Sequence, residues 1–195
     1  MATIVPIVEG HGEVPSLRSL IYLVQAHADL EVPVEVRTPI RQPRGKLLRE
    51  EELERAVQLA TNIGGQNCLI LVMIDADNDC AAELGPELQA RAEAVTPAHV
   101  AAVLPVREYE AWLLASASTL AGERGLPTDL EPPDDPEEVG SAKGWLNAQL
   151  PDEDVYRETV DQPRLTARID VDEALSARSF RKFYHEVSGF IAEAE

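Results

Sequence analysis

The sequence has 195 residues, of which 45% are hydrophobic and 27% charged, which is ordinary for a globular protein and enough for one α/β domain. Its formal net charge is −18, from 35 acidic and 17 basic residues. Because basic residues that neutralise phosphates provide most non-specific affinity for nucleic acid, this balance argues against an autonomous general DNA-binding protein. No apolar run approaches the roughly 18 residues that span a bilayer, and a strand-like segment follows the N-terminus at once. We therefore expect a cytoplasmic protein that makes no membrane contact.

The first 121 residues alternate strand-like and helix-like segments. Apolar or alternating runs predict four strands, at residues 3–8, 32–40, 68–74 and 100–104. Helical spacing of apolar residues predicts four helices, at residues 14–28, 50–63, 83–94 and 107–121. Two prolines in the second strand favour an edge position. A basic loop is predicted at residues 41–46. Strands that alternate with helices predict an α/β fold with a mainly parallel central sheet flanked by helices.

The composition changes after residue 121. Residues 122–140 are rich in Pro, Asp and Glu and are predicted to form an acidic loop, whose segment 131–138 we expect to be solvated. Residues 141–195 contain only helical patterns, including one at 179–194, and predict a helical C-terminal extension that packs on the core. The two cysteines, Cys68 and Cys80, are too far apart for a CxxC metal pair and are expected to be structural or incidental.

Two acidic clusters lie where predicted strands end. EGHGE at residues 9–13 follows the first strand, and DADND at residues 75–79 follows the third. In open α/β sheets, ligands bind beyond the carboxyl ends of the strands. Carboxylates crowded at that edge repel one another unless a cation neutralises them, so the pattern predicts a metal site.

Calcium-binding, phosphatase and phosphate-loop motifs fit the two acidic clusters poorly. An EF-hand loop needs Gly at its sixth and Glu at its twelfth position, where this chain has Cys80 and Pro86. A haloacid-dehalogenase-type phosphatase also carries DxD after a strand, but usually has Thr or Val where this chain has Asp79. The EGHGE segment matches neither phosphate-binding loop, GxxxxGK or GxGxxG.

Together the motifs resemble the signature of the Toprim fold, in which a Glu-Gly pair ends the first strand and a DxD ends a later one. That fold occurs in topoisomerases, bacterial primases and OLD-type nucleases, and VEGxxE at residues 8–13 resembles the OLD-type variant. LPVREYEAWL at residues 104–113 and SFRKF at residues 179–183 resemble a family of small stand-alone Toprim-like proteins of unknown role, whose members often lie beside AAA-type ATPases. The resemblance covers essentially the whole chain.

The resemblance implies a role for each carboxylate. Glu9 would be a metal ligand or general base, Glu13 a second ligand, and Asp75 and Asp77 would hold one or two Mg²⁺ ions. Asp79 is either a further ligand or a cap of the turn. Oxygen-only ligands favour Mg²⁺ or Mn²⁺ over zinc.

Further candidates follow the fourth strand. Of Glu108 and Glu110 only one is expected to face the site, and we favour Glu108 as a metal ligand because it is nearer the strand end. OLD-type nucleases use a late lysine to stabilise transition-state charge, and Lys143 is the candidate here. Arg107 is a candidate phosphate clamp, and His11 is expected to be exposed or to support the ligands indirectly.

These observations predict a Toprim-like protein that cleaves phosphodiester bonds of nucleic acid with Mg²⁺ or Mn²⁺. Because the chain is acidic, we expect it to bind nucleic acid weakly alone and to act with an AAA-type ATPase partner in phage defence or DNA repair. A homo-oligomer is also open. The alternatives are a non-catalytic interaction or regulatory subunit on the same scaffold and a phosphatase of small phosphomonoesters.

Overall fold

A computed structural model describes residues 1–194 and shows an α/β fold built on one five-stranded sheet. The strands are β1 (Ala2–Val8), β2 (Val34–Val36), β3 (Ile40–Arg41), β4 (Leu69–Met73) and β5 (His99–Val103). The sheet order is β2-β1-β4-β5, β3 also pairs with β1, and every pairing is parallel. The predicted parallel α/β architecture is therefore confirmed.

The predicted second strand is divided into β2 and β3, both at the edge beside β1. Ile4 pairs with Val36, and Ile7 pairs with Ile40. The edge segment from 36 to 40 is therefore one residue longer than the β1 segment from 4 to 7 that it pairs with. Pro39 lies in this interval and has no N–H to donate to the ladder, which accounts for the interruption.

Five helices follow the strands in the first part of the chain. They are α1 (Glu13–His27), α2 (Arg44–Leu47), α3 (Glu52–Gly64), α4 (Ala81–Glu93) and α5 (Glu110–Ala115). Two predictions were wrong in extent. The basic loop predicted at 41–46 contains the start of α2, and the helix predicted at 107–121 is the short α5 followed by a 3₁₀ turn at Ala117–Leu120.

Four helices form the C-terminal part: α6 (Ala142–Gln149), α7 (Glu158–Thr166), α8 (Val171–Ala174) and α9 (Arg178–Glu193). Their apolar side chains join the core on one face of the sheet, where Phe180 and Phe183 each lie 5.3 Å, between ring centroids, from Trp112. Helices α3 and α4 cover the opposite face. Glu195, the last residue of the predicted extension, lies outside the described residues. Among the described helices, none is both long and apolar enough to cross a membrane.

The acidic loop before α6 is not wholly solvated, contrary to expectation. Leu126 and Leu130 are buried in the core, and the Glu137 carboxylate is 3% exposed. Its oxygens accept hydrogen bonds from the backbone N–H groups of Ser179 (2.8 Å) and Arg178 (3.0 Å), at the start of α9. An anion at a helix N-terminus satisfies donors that have no partner within the helix, so this acidic residue has a structural role.

Candidate functional site

The EGHGE segment is the short connection from β1 to α1, and α7 packs directly against it. The Gly12 N–H lies 3.4 Å from Oε1 of Glu158. A Cβ atom at Gly12 would lie 1.7 Å from Oε1 of Gln162, and one at Gly10 would lie 2.7 Å from Oε1 of Glu158. The close approach of α7 therefore leaves little room for a side chain at Gly12, which the sequence motif alone did not reveal, whereas the atoms nearest Gly10 are the ends of two glutamate side chains.

This connection places two carboxylates at the carboxyl end of β1. Glu13 is only 4% exposed, and its Oε2 accepts a short hydrogen bond from the Gly10 N–H. Burial, opposed by that bond and reinforced by Glu9, raises the pKa of Glu13 to about 7. Burial and then Asp77 also raise the pKa of Glu9, whereas Arg44 opposes the rise.

Asp75 lies at the carboxyl end of β4, next to β1 in the sheet. It is 7% exposed, and its Oδ1 accepts a hydrogen bond of 2.8 Å from the Tyr109 N–H. Burial raises the pKa of Asp75 well above its usual range, and the charges of Glu13 and Glu110 add to the rise. The two acidic clusters of the sequence therefore come together, as their positions at neighbouring strand ends predicted.

Asp77 and Asp79 differ from Asp75 because both are exposed and paired with one arginine. Arg44 lies 3.4 Å from Oδ2 of Asp77 through its Nε atom and forms a closer ion pair with Asp79 through Nη2. The Arg44 Nε also donates to the backbone carbonyl of Asp75 at 3.0 Å. Arg44 thus holds the DADND turn through ion pairs with both aspartates. The basic loop predicted at 41–46 contains Arg44, but the sequence did not indicate that Asp77 and Asp79 are its partners.

The geometry favours Glu110 over Glu108, the glutamate that the sequence analysis preferred. Glu110 is 1% exposed and faces Asp75, whereas Oε2 of Glu108 accepts a hydrogen bond of 2.9 Å from the Lys143 N–H at the start of α6. The Tyr156 hydroxyl donates to Oε1 of Glu110 at 2.8 Å. Burial raises the pKa of Glu110 to about 7, opposed by Lys143. Nearness to the strand end was a poor guide because the chain turns between the two glutamates and α5 carries the second one inward.

Lys143 lies beside these carboxylates. Its Nζ atom is 3.4 Å from Oε2 of Glu158 and 3.7 Å from Oε2 of Glu110. Burial alone lowers the pKa of Lys143, but Glu110, Asp75 and Glu158 outweigh burial and raise it above the ordinary value. The ammonium is therefore held in its charged form. Glu158 and Tyr156 gave no signal in the sequence, since only the folding back of α7 brings them here.

Two other candidates lie at the margin of the site. His11 is exposed, as expected. Arg107 follows β5 with a φ of 62°, and its carbonyl accepts a hydrogen bond from the Asp77 N–H at 3.0 Å. Its side chain forms no ion pair within the described part of the chain, so it remains a candidate phosphate contact.

We define Glu9, Glu13, Asp75 and Glu110 as the carboxylate cluster. Oε2 of Glu9 and Oε2 of Glu110 are buried without a hydrogen-bond donor in the described chain. Burial raises the pKa of every carboxylate in the cluster, and Lys143 and Arg44 offset this rise only in part. Buried carboxylates with unpaired oxygens suit a hard divalent cation such as Mg²⁺ or Mn²⁺.

The carboxylates do not already form a coordination shell. Across residues 1–194, no group of three or more His, Cys, Asp and Glu side chains is arranged to hold a metal ion. One oxygen of Glu13 is engaged by the Gly10 N–H and one oxygen of Asp75 by the Tyr109 N–H. Metal binding therefore requires rotation of side chains within the cluster.

A sequence-family model covers nearly the whole described fold. The model of a domain of unknown function, DUF4276, matches residues 8–188. The chain belongs to this family. No curated protein and no solved structure matches the chain. The DUF4276 domain contains the carboxylate cluster, Lys143 and the helices α6 and α7 that complete the site.

Proposed function

We propose that this protein is a divalent-cation-dependent phosphodiesterase that cleaves nucleic acid. One observation carries the proposal: buried carboxylates from the ends of β1 and β4 meet a third from α5 and a lysine at the carboxyl edge of a parallel sheet. Pairs or triads of buried carboxylates with raised pKa values are more typical of functional sites than of structural cores. The resemblance to the Toprim signature of OLD-type nucleases supports the same reaction class by analogy.

The residues divide into those that would hold the cation and those that would act on the phosphate. Glu13, Asp75 and Asp77 would hold Mg²⁺ or Mn²⁺, Glu110 would complete the shell, and Glu9 would be either a further ligand or the general base. A bound divalent ion supplies charge neutralisation and a more acidic water molecule. Lys143 is suited to stabilise negative charge on the phosphate, because its ammonium is held charged at the rim of the cluster.

Glu9 is best suited to accept a proton from the attacking water. It is only half-buried, so solvent reaches it, and burial has raised its pKa from the ordinary carboxylate value. A base with a raised pKa takes up a proton more readily near neutral pH than an ordinary carboxylate does. Arg44 limits this rise and fixes the neighbouring turn.

The acidic charge of the chain supports the involvement of a second protein in binding nucleic acid. A net charge of −18 repels polyanions, so the domain alone is expected to bind nucleic acid weakly. We propose that a second protein, an AAA-type ATPase by analogy, delivers the substrate. A role in phage defence or DNA repair rests on the same analogy.

A cleavage assay tests the proposal. Purified protein is incubated with plasmid, RNA oligonucleotide and p-nitrophenyl phosphate, each with Mg²⁺, Mn²⁺ or EDTA. We expect cleavage of at least one nucleic acid that requires the cation, and a loss of about 100-fold or more in the Asp75→Asn, Asp77→Asn double variant. The matched control is Asp152→Asn, Glu153→Gln, which removes two charges from an exposed segment outside the site.

Two alternatives give different results in the same assay. Hydrolysis of p-nitrophenyl phosphate alone would indicate a small-molecule phosphatase. A non-catalytic interaction subunit is favoured by the lack of a ready coordination shell in residues 1–194 and by the engagement of Lys143 with two glutamates. That alternative predicts no cleavage of any substrate, with or without an added ATPase partner, and no thermal stabilisation by Mg²⁺ or Mn²⁺. Cleavage retained in the double variant would rule out the proposed role of the carboxylates.

A further inference from the structure

A cleft lies next to the DADND turn, on the outer side of the edge strand β5. It has a volume of about 500 Å³ and lies between α4 and α9. It extends from Asp79 and Cys80, which follow β4, to Val106, which follows β5. Since both strands end at the edge that carries the carboxylate cluster, the cleft opens beside the proposed catalytic site.

The walls of the cleft are small and mostly aliphatic. Its lining includes Ala82 and Pro86 of α4 and the buried residues Ala102 and Leu104. Within α4, Gly85 adds no side chain, and a Cβ there would still lie 3.8 Å from the nearest atom, a methyl of Leu104. The cleft is therefore open to a flat or compact group, and none of the described residues that line it is aromatic.

Lys182 of α9 gives the cleft an unbalanced positive charge. Two other charged residues in the lining are already paired: Asp79 with Arg44, and Arg178 with Glu137. Lys182 is half-buried, and within residues 1–194 no carboxylate oxygen lies within ion-pair distance of its ammonium. In a chain of net charge −18, a lysine in a concave site without a carboxylate partner suits an anionic ligand.

We propose that this cleft binds one unstacked nucleotide of single-stranded nucleic acid, with Lys182 contacting its phosphate. The inference rests on the proposed function and adds the class of substrate. A volume of about 500 Å³ lies in the range of small-ligand sites, and a base enters such a cleft only when it is not stacked inside a duplex. Aliphatic side chains form no hydrogen bonds with the edges of bases, so we expect little sequence preference.

Binding can be measured without cleavage. A short fluorescein-labelled single strand is titrated into the Asp75→Asn variant in EDTA at low salt, with the corresponding duplex in parallel, and anisotropy gives the Kd. We expect the single strand to bind more tightly than the duplex. Lys182→Met should weaken binding about tenfold, the effect of losing one phosphate contact, and Lys182→Arg should restore it.

A second pair of variants tests the cleft itself. Ala82→Trp adds bulk to the lining of the cleft, whereas Ala90→Trp adds the same bulk to an exposed position of α4 outside the lining. Only the first substitution should weaken binding. Melting temperatures of all variants confirm that they fold.

Alkylation of a cysteine reports occupancy directly. Cys80 lines the cleft and is exposed, while Cys68, the only other cysteine, is buried. We expect the single strand to slow alkylation of Cys80 by iodoacetamide. Equal affinity for duplex and single strand, unchanged Kd in both Lys182→Met and Ala82→Trp, or unprotected Cys80 would each overturn the inference.

The inference and the proposed function can fail separately. If cleavage depends on the cation but neither Lys182→Met nor Ala82→Trp changes the Kd, the proposed function is supported and the cleft has no role in it. Binding of the single strand through Lys182 without any cleavage would support the cleft as a nucleotide site and contradict the proposed phosphodiesterase activity.

Discussion

The ammonium Nζ of Lys143 lies 3.7 Å from Oε2 of Glu110, a buried carboxylate oxygen that has no hydrogen-bond donor in the described chain. The same ammonium lies 3.4 Å from Glu158. One lysine from α6 therefore offsets carboxylates that α5 and α7 bring to the end of the sheet. Burial outweighs this charge at Glu110, whose pKa is still raised to about 7.

Replacement of Lys143 by Met should destabilise the fold more at pH 8 than at pH 5.5. At pH 8 Glu110 is ionised and loses its nearest countercharge, while at pH 5.5 it carries a proton and its interaction with the ammonium is weaker. Because the Glu110 carboxyl, with a pKa of about 7, can take up a proton when Lys143 is removed, its share of the loss at pH 8 is limited to about 1.4 kcal/mol. Urea unfolding at the two pH values measures the difference. Lys46→Met, at an exposed lysine without an ion pair in the described residues, should show little loss at either pH.

Stability in EDTA should fall as the pH rises from about 4.5 to about 7. Glu13 and Glu110 have an ordinary pKa of 4.5 when the chain is unfolded and about 7 when it is folded, so the folded state binds more protons between these values. Their contribution to the free energy of unfolding is fully present below pH 4.5. It falls by up to about 1.4 kcal/mol per pH unit for each group and is lost as the pH rises through 7. The Glu13→Gln, Glu110→Gln double variant should flatten this dependence.

The same linkage predicts the effect of a divalent cation. Because Mg²⁺ or Mn²⁺ competes with protons for the carboxylates, stabilisation by the cation should be small at pH 5.5 and larger at pH 8. Melting temperatures recorded with and without the cation measure it. A stabilisation that is equal at both pH values, or equal in wild type and the double glutamine variant, would contradict binding at the cluster.

The sequence predicted the sheet and the meeting of its two acidic strand ends, but not how the site is completed. Strand periodicity and the βα alternation depend on local patterns, so the ends of β1 and β4 could be placed beside each other. Glu158 and Tyr156 reach the site only because α7 packs against the β1–α1 connection, and no local pattern encodes that contact. Arg44 was visible as part of a basic loop, yet its ion pairs depend on the same long-range packing.

Gly12→Ala should destabilise the protein through contact with α7. Gly12 has an ordinary φ of −71°, so alanine brings no backbone strain there. Its Cβ would lie 1.7 Å from Oε1 of Gln162, which is 1% exposed and has little room to turn. We expect a loss of about 1–3 kcal/mol, the usual cost of overpacking.

Two further variants separate this contact from other effects of the substitution. Gly140→Ala, at an exposed position where a Cβ meets nothing within 4 Å, should be nearly neutral. Adding Gln162→Ala to Gly12→Ala should recover part of the loss, which a double-mutant cycle measures. Independent, additive effects of the two substitutions would show that the close approach of α7 does not constrain Gly12.

Glu137→Ala should destabilise the fold although the residue lies in the most acidic stretch of the chain. Its carboxylate accepts hydrogen bonds from the N–H groups of Arg178 and Ser179 and so holds the loop to the start of α9. Loss of hydrogen bonds to a buried charged group costs about 1.5–3 kcal/mol, and an anion at a helix N-terminus adds a favourable interaction that alanine removes.

Glu138→Ala is the matched control, because it removes the same charge from the next residue, which is exposed. Urea unfolding should therefore show a lower midpoint for Glu137→Ala than for Glu138→Ala. Equal midpoints would mean that the contact contributes only general charge, in which case both substitutions should stabilise a chain of net charge −18.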